Sequence, residues 1–265
     1  MPNADAFVLR TVDYSETSSI VTLYSRQYGK IEGLAKGGRR LKSSFENALD
    51  LLTRIKLSFI QKKGDVLDLL TESKLVRRFP VNETNIAGLF GGYYVAELLN
   101  KFTQPGIVNP PLYDVSVRLL NRLERGTSVM RGLIRYEGLL LQLTGHQPSL
   151  HNCVECGQKL DLIRYKYWAF SPLHGGVVCS RCVEELQQTG AGGMRISVST
   201  DALTGLETLS EPKDRSEHWA HLPLEKGVLN EIRNLNNYYI SCLLGRKPRL
   251  FDWFGYIAKN DNETV

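Results

Sequence analysis

No apolar run in the chain approaches the ~20 residues that a membrane-spanning helix requires. No membrane contact is therefore expected. The start, Met1-Pro-Asn-Ala-Asp5, has neither a basic stretch nor an apolar run, so no secretory leader is expected and a cytoplasmic setting is the default. Histidine is scarce, at five among 265 residues. A nucleophile elbow, a dinucleotide fingerprint, a phosphate-binding P-loop and a paired-carboxylate motif are all missing. There is no internal repeat. These absences move the expectation from an enzyme towards a binding or scaffold protein. Cysteine is also rare, at five residues, and a reducing compartment does not sustain disulfides.

Four of those cysteines nevertheless form a pattern. Cys153-Val-Glu-Cys156 and Cys179-Ser-Arg-Cys182 each leave two residues between their thiols, and 22 residues separate the pairs. A CxxC turn lets two sulfurs reach one ion, and a second turn completes a tetrahedral shell. One structural Zn2+ is therefore expected on Cys153, Cys156, Cys179 and Cys182. Four thiolates leave no open position for a catalytic water. Gly157 follows the first pair, where such a turn calls for positive φ. Between the pairs, Arg164 to Ser171 is rich in β-formers and Pro172 to Gly176 reads as a turn. The predicted layout is a zinc ribbon: knuckle, strand, turn, strand, knuckle.

The net charge of +5 is unevenly placed. Residues 1–80 carry 14 Lys/Arg against 9 Asp/Glu, while the remainder carries 19 of each. Either a solvated basic face or a polyanion-binding surface accounts for that excess. The same third of the chain reads as β. Strands are predicted near Ala6–Val12, Ile20–Tyr24, Ile31–Ala35, Thr53–Gln61 and Val66–Val76. In the fourth, Ile55, Leu57 and Phe59 alternate with Arg54, Lys56 and Ser58, the period of a half-buried strand. Five short strands suggest a small closed sheet, of OB or SH3-like type. Between the third and fourth, Lys36-Gly-Gly-Arg39-Arg40-Leu-Lys42 places four cations in seven positions. It reads as a mobile surface loop suited to phosphates.

After Pro80 the period becomes helical. Asn82 or Thr84 is expected to cap a helix whose apolar face includes Ile86, Leu89, Phe90, Tyr93 and Tyr94. Its Gly88, Gly91 and Gly92 suit close helix approach. Asn109-Pro110-Pro111 opens a second helix, with Leu112, Val115, Leu119 and Leu123 buried and Gly126 as its stop. A third, from Val129 to Leu143, is apolar over a wide arc and so central to its bundle. Ser199–Leu209 reads as a short helix. The last long helix is expected from near Pro223. Val228, Ile232, Leu235, Tyr239 and Cys242 form its stripe, which places Cys242 in the core.

A wider similarity is spread along the chain. It is carried by Ala6-Phe-Val-Leu-Arg10, Tyr14-Ser-Glu16, Tyr24-Ser25, Gly29-Lys30 and Lys36-Gly-Gly-Arg39-Arg40. Tyr93, Glu97-Leu98, Arg135-Tyr136-Glu137, Leu140-Leu141, Gly145, Pro148, the four cysteines and Gly245-Arg-Lys-Pro-Arg249 continue it. With these residues in this order, the chain resembles the bacterial RecO family of recombination mediators over nearly its whole length. The resemblance implies an α+β architecture. Its parts are an N-terminal OB-type β-barrel (1–80), an α-helical bundle domain (81–150 and 195–258), an inserted four-cysteine zinc ribbon (151–194) and a flexible tail (259–265).

It also implies a non-enzymatic role in DNA repair and recombination, in the cytoplasm with the nucleoid. Members bind single- and double-stranded DNA and anneal complementary strands. They contact the acidic C-terminal tail of single-strand-binding protein, and with RecR help RecA load onto coated strands. DNA contacts are expected from Lys36, Arg39, Arg40 and Lys42, with Arg10, Arg54, Lys56 and Lys62 on the barrel. Arg118, Arg122, Arg131 and Arg135 are the candidates for the tail-binding surface. Arg164, Lys166 and Arg181 leave open whether the ribbon presents a DNA or partner surface. The competing reading is a zinc-ribbon and barrel protein for RNA, such as a ribosome-associated factor.

Overall fold

Five N-terminal segments rich in branched and aromatic residues form strands: β1 (Asn3–Asp13), β2 (Ser19–Ser25), β3 (Gly29–Ala35), β4 (Arg54–Ile60) and β5 (Asp68–Arg77). The structure, a computed structural model, describes residues 2–40, 42–45, 48–64, 66–80, 85–188, 193–212 and 217–253. The expected cap at Asn82 or Thr84 and the tail 259–265 lie outside the described residues. The chain divides into two units, Met1–Val129 and Met130–Val265. Among the described residues no helix is long and apolar enough to cross a membrane.

In the first unit, β1 pairs antiparallel with β2 and β4, β2 with β3, and β4 with β5. β3 and β5 run parallel, with Gly33 opposite Asp68 and Ala35 opposite Leu70. That pairing closes the barrel in the order β1-β2-β3-β5-β4. An order with one parallel pair is the OB Greek key and sets the SH3-like alternative aside. The period of β4 holds: Ile55, Leu57 and Phe59 join Val8, Leu23, Ile31 and Leu70 in the core, and Lys56 faces out.

The β3–β4 connection departs from expectation. Its basic run is followed at once by Phe45 and Ala48, which enter the barrel core. The run is also tied down at both ends. Arg39 N donates to Thr17 O at 3.0 Å, and Ser73 N donates to Ser44 O at 3.2 Å. Two apolar side chains have an open barrel end to fill, and the basic segment before them is held as a result.

Two helices complete this unit, α1 (Ile86–Phe102) and α2 (Pro110–Arg125). Phe7 and Tyr24 lie outside the barrel core and meet Tyr113 of α2, at ring-centroid distances of 5.4 and 6.3 Å. Lys30 is buried and its Nζ donates to Asn100 O at 3.0 Å, one of the last carbonyls of α1. α1 approaches α2 closely because Gly88 has no side chain: a Cβ there would lie 2.1 Å from Leu123 O. Asn85 occupies the gap. Its Oδ1 accepts from Gly88 N at 2.9 Å and caps α1, while its Nδ2 donates to Leu123 O at 2.7 Å and Glu124 O at 3.2 Å. One amide thus satisfies the start of one helix and the end of another.

The second unit is built around α3 (Val129–Leu143). From Val129 to Leu141 every residue but Arg131 is buried, as its wide apolar arc requires. After it come β6 (Tyr167–Ser171), β7 (Gly176–Val178), α4 (Ser180–Gln188), β8 (Ile196–Ser199), α5 (Thr200–Leu209) and α6 (Lys226–Leu244). The strands form a sheet in the order β7-β6-β8. Ser199 caps α5 by accepting from Ala202 N, and Glu231 of α6 accepts from the Ser199 backbone N and hydroxyl, each at 2.6 Å.

Cys242 is a correction: it is exposed. The buried face of α6 is Leu229, Ile232, Leu235, Asn236, Tyr239 and Ile240. Spacings of four and three average 3.5 residues, and a straight helix of 3.6 drifts ~20° per heptad. Two heptads from Val228, that drift carries Cys242 off the core.

Replacing Asn85 by Ala removes both caps and is expected to lower unfolding stability by about 1.5–3 kcal/mol. Asn85→Ser, which keeps an acceptor for Gly88 N but cannot reach Leu123 O, should recover only part of that loss in denaturant titration.

Candidate metal centre and nucleic-acid interface

The four spaced cysteines converge. Cys153, Cys156, Cys179 and Cys182 place their sulfurs within 4.8 Å of one another. Cys156 Sγ and Cys179 Sγ stand 3.8 Å apart, far beyond a disulfide bond. That distance matches the ~3.8 Å edge of a tetrahedron with ~2.3 Å metal–sulfur bonds, so the donor set fits zinc.

The local backbone builds the site. Gly157 takes φ +72°, letting Gly157 N donate to Cys153 O at 2.8 Å and close the first knuckle. Cys179 N donates to Cys153 Sγ at 3.3 Å, tying the second knuckle to the first. Cys182 lies in the first turn of α4, where the helix N-terminus favours thiolate charge. A hydrogen bond to the backbone at Gln158 brings the Cys156 thiol down to about 7. Burial pushes Cys179 and Cys182 up. The Arg181 guanidinium is held positive by the neighbouring Cys156 sulfur and would offset the negative charge that four thiolates around a divalent ion leave over.

Because buried thiols hold their protons, an ion must displace them to bind. Loading therefore strengthens as pH rises and weakens as it falls. Competition between the protein and a chelator for Zn2+ should show affinity dropping about tenfold or more per unit between roughly pH 8 and pH 6. A flat profile would contradict four-thiolate ligation. Cys153→Ser should lower bound metal and raise the protease sensitivity of residues 151–188.

The cationic candidates fall into groups. Lys36, Arg39, Arg40 and Lys42 are all exposed on the β3–β4 connection. Arg39 pairs with Asp13 at 3.1 Å and also donates to Ser15 O at 3.2 Å, in the β1–β2 turn that exposes Tyr14. Arg10 is exposed on β1 after a bulge between Val8 and Arg10. Lys62 is exposed beyond β4, its backbone N donating to Asp68 at 2.8 Å. On the outer face of β4, Lys56 is in register with Lys74 of β5, and Arg54 with Arg77.

Lys74 is not among the sequence-based candidates; only strand register puts it beside Lys56, and two like charges on adjacent strands repel unless an anion lies between them. Arg54 is half-buried near Tyr113, and neither its Nε nor the Tyr113 hydroxyl has a hydrogen-bond partner among the described residues. Arg77 is ion-paired with Glu124.

The four arginines considered for a protein partner are placed differently. Arg118 is exposed on α2, and Arg122 donates to Thr127 O at 3.3 Å. Arg131 donates to Leu222 O at 2.7 Å and Leu224 O at 3.2 Å. Arg135 is only 7% exposed, donates to Leu209 O and Glu211 O, and lies 5.3 Å from the Trp219 ring centre. Arg131 and Arg135 thus hold the carbonyls of the 209–224 segment. The second unit also has a cavity of about 470 Å³ whose lining includes Leu141, Pro148, Leu150, Leu206, His151 and Glu207.

Comparison with known proteins gives a consistent result. The family model described as "Recombination protein O N terminal" matches residues 1–79, and "Recombination protein O C terminal" matches residues 83–250. A protein of Rhodopirellula baltica named DNA repair protein RecO is 35% identical, covering 92% of this chain and 96% of its own. One of the same name from Myxococcus xanthus is 26% identical over 96% of this chain and 97% of its own. Another, from Desulfitobacterium hafniense, is 35% identical over 68% of this chain and 64% of its own. The OB barrel, the cysteine cluster and these matches along the length lead to one assignment: the chain belongs to the RecO family of DNA repair proteins.

Proposed function

We propose that this protein is a DNA-binding recombination mediator that works by binding rather than by catalysis. It binds single- and double-stranded DNA, anneals complementary strands, and with RecR helps load RecA onto strands coated by single-strand-binding protein. The observation that carries the reading is the cationic edge of the closed barrel. There Lys36, Arg39, Arg40 and Lys42 project from a connection fixed at both ends, with Lys56 and Lys74 side by side on the outer sheet. Such an edge neutralises phosphates and releases counterions. With two strands held on one basic surface their mutual repulsion falls, which favours pairing. The cysteine cluster holds one structural Zn2+, whose four protein ligands leave no reactive position. For the acidic tail of single-strand-binding protein, Arg118 is the better candidate, since Arg122, Arg131 and Arg135 donate to carbonyls of their own units. This reading places the protein in the cytoplasm at the nucleoid.

Replacing Lys36, Arg39, Arg40 and Lys42 together by Ala should weaken DNA binding at least tenfold. The log–log salt slope on single strands should flatten by up to ~2.8, at ~0.7 per lost phosphate contact. An unchanged slope would remove the loop from the interface. Annealing of strands coated with single-strand-binding protein, with and without its acidic tail, tests the mediator role. Acceleration that vanishes without the tail is expected; equal rates would count against it. Tighter binding to matched RNA than to DNA would favour an RNA-directed role instead.

A further inference from the structure

The ribbon carries a surface that its metal chemistry does not use. A 3-10 turn, Leu162–Arg164, leads into β6, and Tyr165 follows it in extended backbone at φ −130°, ψ 145°. Tyr165 and Tyr167 flank a bend at Lys166, and they are 40% and 56% exposed. Each has a cation over one face of its ring. Arg164 Cζ lies 5.5 Å from the Tyr165 centroid, and Lys166 Nζ lies 5.7 Å from that of Tyr167. Between residues 159 and 167 the cations are Lys159, Arg164 and Lys166, and the one acid, Asp161, accepts from Ile163 N at 3.3 Å.

The stretch is held from behind. The Tyr165 ring meets buried Trp168 edge-on, with centroids 5.2 Å apart and planes at 82°. Trp168 Nε1 donates to Leu162 O at 3.1 Å. Thr200 Oγ1 donates to Leu162 O and Thr200 N to Lys166 O, both at 3.0 Å. β8 adds the pairing of Tyr167 with Ser199. A ring already ordered by its own fold loses little entropy when a flat partner covers it.

We propose that these two rings are stacking sites for single-stranded nucleic acid. Bases cover the ring faces that the cations leave open, and Arg164 and Lys166 take the adjoining phosphates. The inference rests on the nucleic-acid-binding reading above and adds a second surface to the barrel edge. Single strands are specified because a duplex buries the base faces that tyrosine rings need, whereas unpaired bases offer them. The cations beside the rings favour a polyanion over an apolar protein segment. A chain with two such surfaces has a place for each of two strands to be paired.

The test uses the full-length, zinc-loaded protein with a fluorescent oligothymidine and, separately, a duplex. Tyr165→Ala/Tyr167→Ala should lose about tenfold or more in oligothymidine affinity, the effect of removing stacking from one or two bases. Duplex affinity should stay unchanged. Tyr165→Phe/Tyr167→Phe keeps the rings and should bind as wild type. Arg164→Ala/Lys166→Ala should flatten the single-strand salt slope by ~1.4. Zinc content equal to wild type reports an intact ribbon. If the Ala pair keeps its zinc and binds oligothymidine normally, the stacking sites are overturned while the barrel reading stands. If that pair loses its zinc, the Arg164/Lys166 variant decides: an unchanged salt slope overturns the stacking sites, a flattened one supports them. Wild-type protein that binds neither probe overturns both.

Discussion

Barrel closure is the constraint on which the first unit depends. A five-stranded sheet this short has no second layer of its own, so its core exists only if β3 and β5 meet. They run parallel over three residue pairs, a brief contact for so much consequence. Gly33 makes room for it: a Cβ there would lie 2.4 Å from the Leu70 side chain, which fills the core. Closure then leaves one end to plug, which Phe45 and Ala48 do, and plugging holds the basic connection against the β1–β2 turn. The cationic edge is therefore a by-product of how the core is finished.

A second regularity concerns where positive charge goes. Helix ends leave carbonyls that need donors. Lys30 serves the end of α1, and Arg135 serves the end of α5. Burial lowers the Lys30 pKa, the sign of a cation taken out of water for a structural purpose. Charge composition alone overstates the surface available to a polyanion, because these cations bond inside their own units. What remains at the barrel edge and on the ribbon is smaller and better defined.

The ribbon combines a small core, in which Phe170 meets Tyr239 of α6 edge-on, with a cluster of four cysteines. Three strands of five, three and four residues bury too little to stand alone. Metal binding at a four-thiolate site contributes ~10–16 kcal/mol apparent free energy to folding. An ion held by Cys153, Cys156, Cys179 and Cys182 would be ample to fix a small sheet.

Features set by neighbours in the chain were legible in the sequence: the alternation of β4, the prolines that open α2, the glycine stop at Gly126 and the paired CxxC turns. Each rests on interactions within a few residues, so composition and spacing are enough to write them down. The rest depended on pairings between distant segments. Register brought Lys74 to Lys56, β8 found the free edge of β6, and Asn85 met the carbonyl ends of α2. The buried role of Arg135 and the exposure of Cys242 were likewise decided by packing, through a carbonyl 74 residues away and through helical drift. The sequence by itself determined the barrel strands, the long helices, the four spaced cysteines and the family. The tertiary structure decided which cations are left for a ligand, because a side chain's role depends on which distant backbone it meets first.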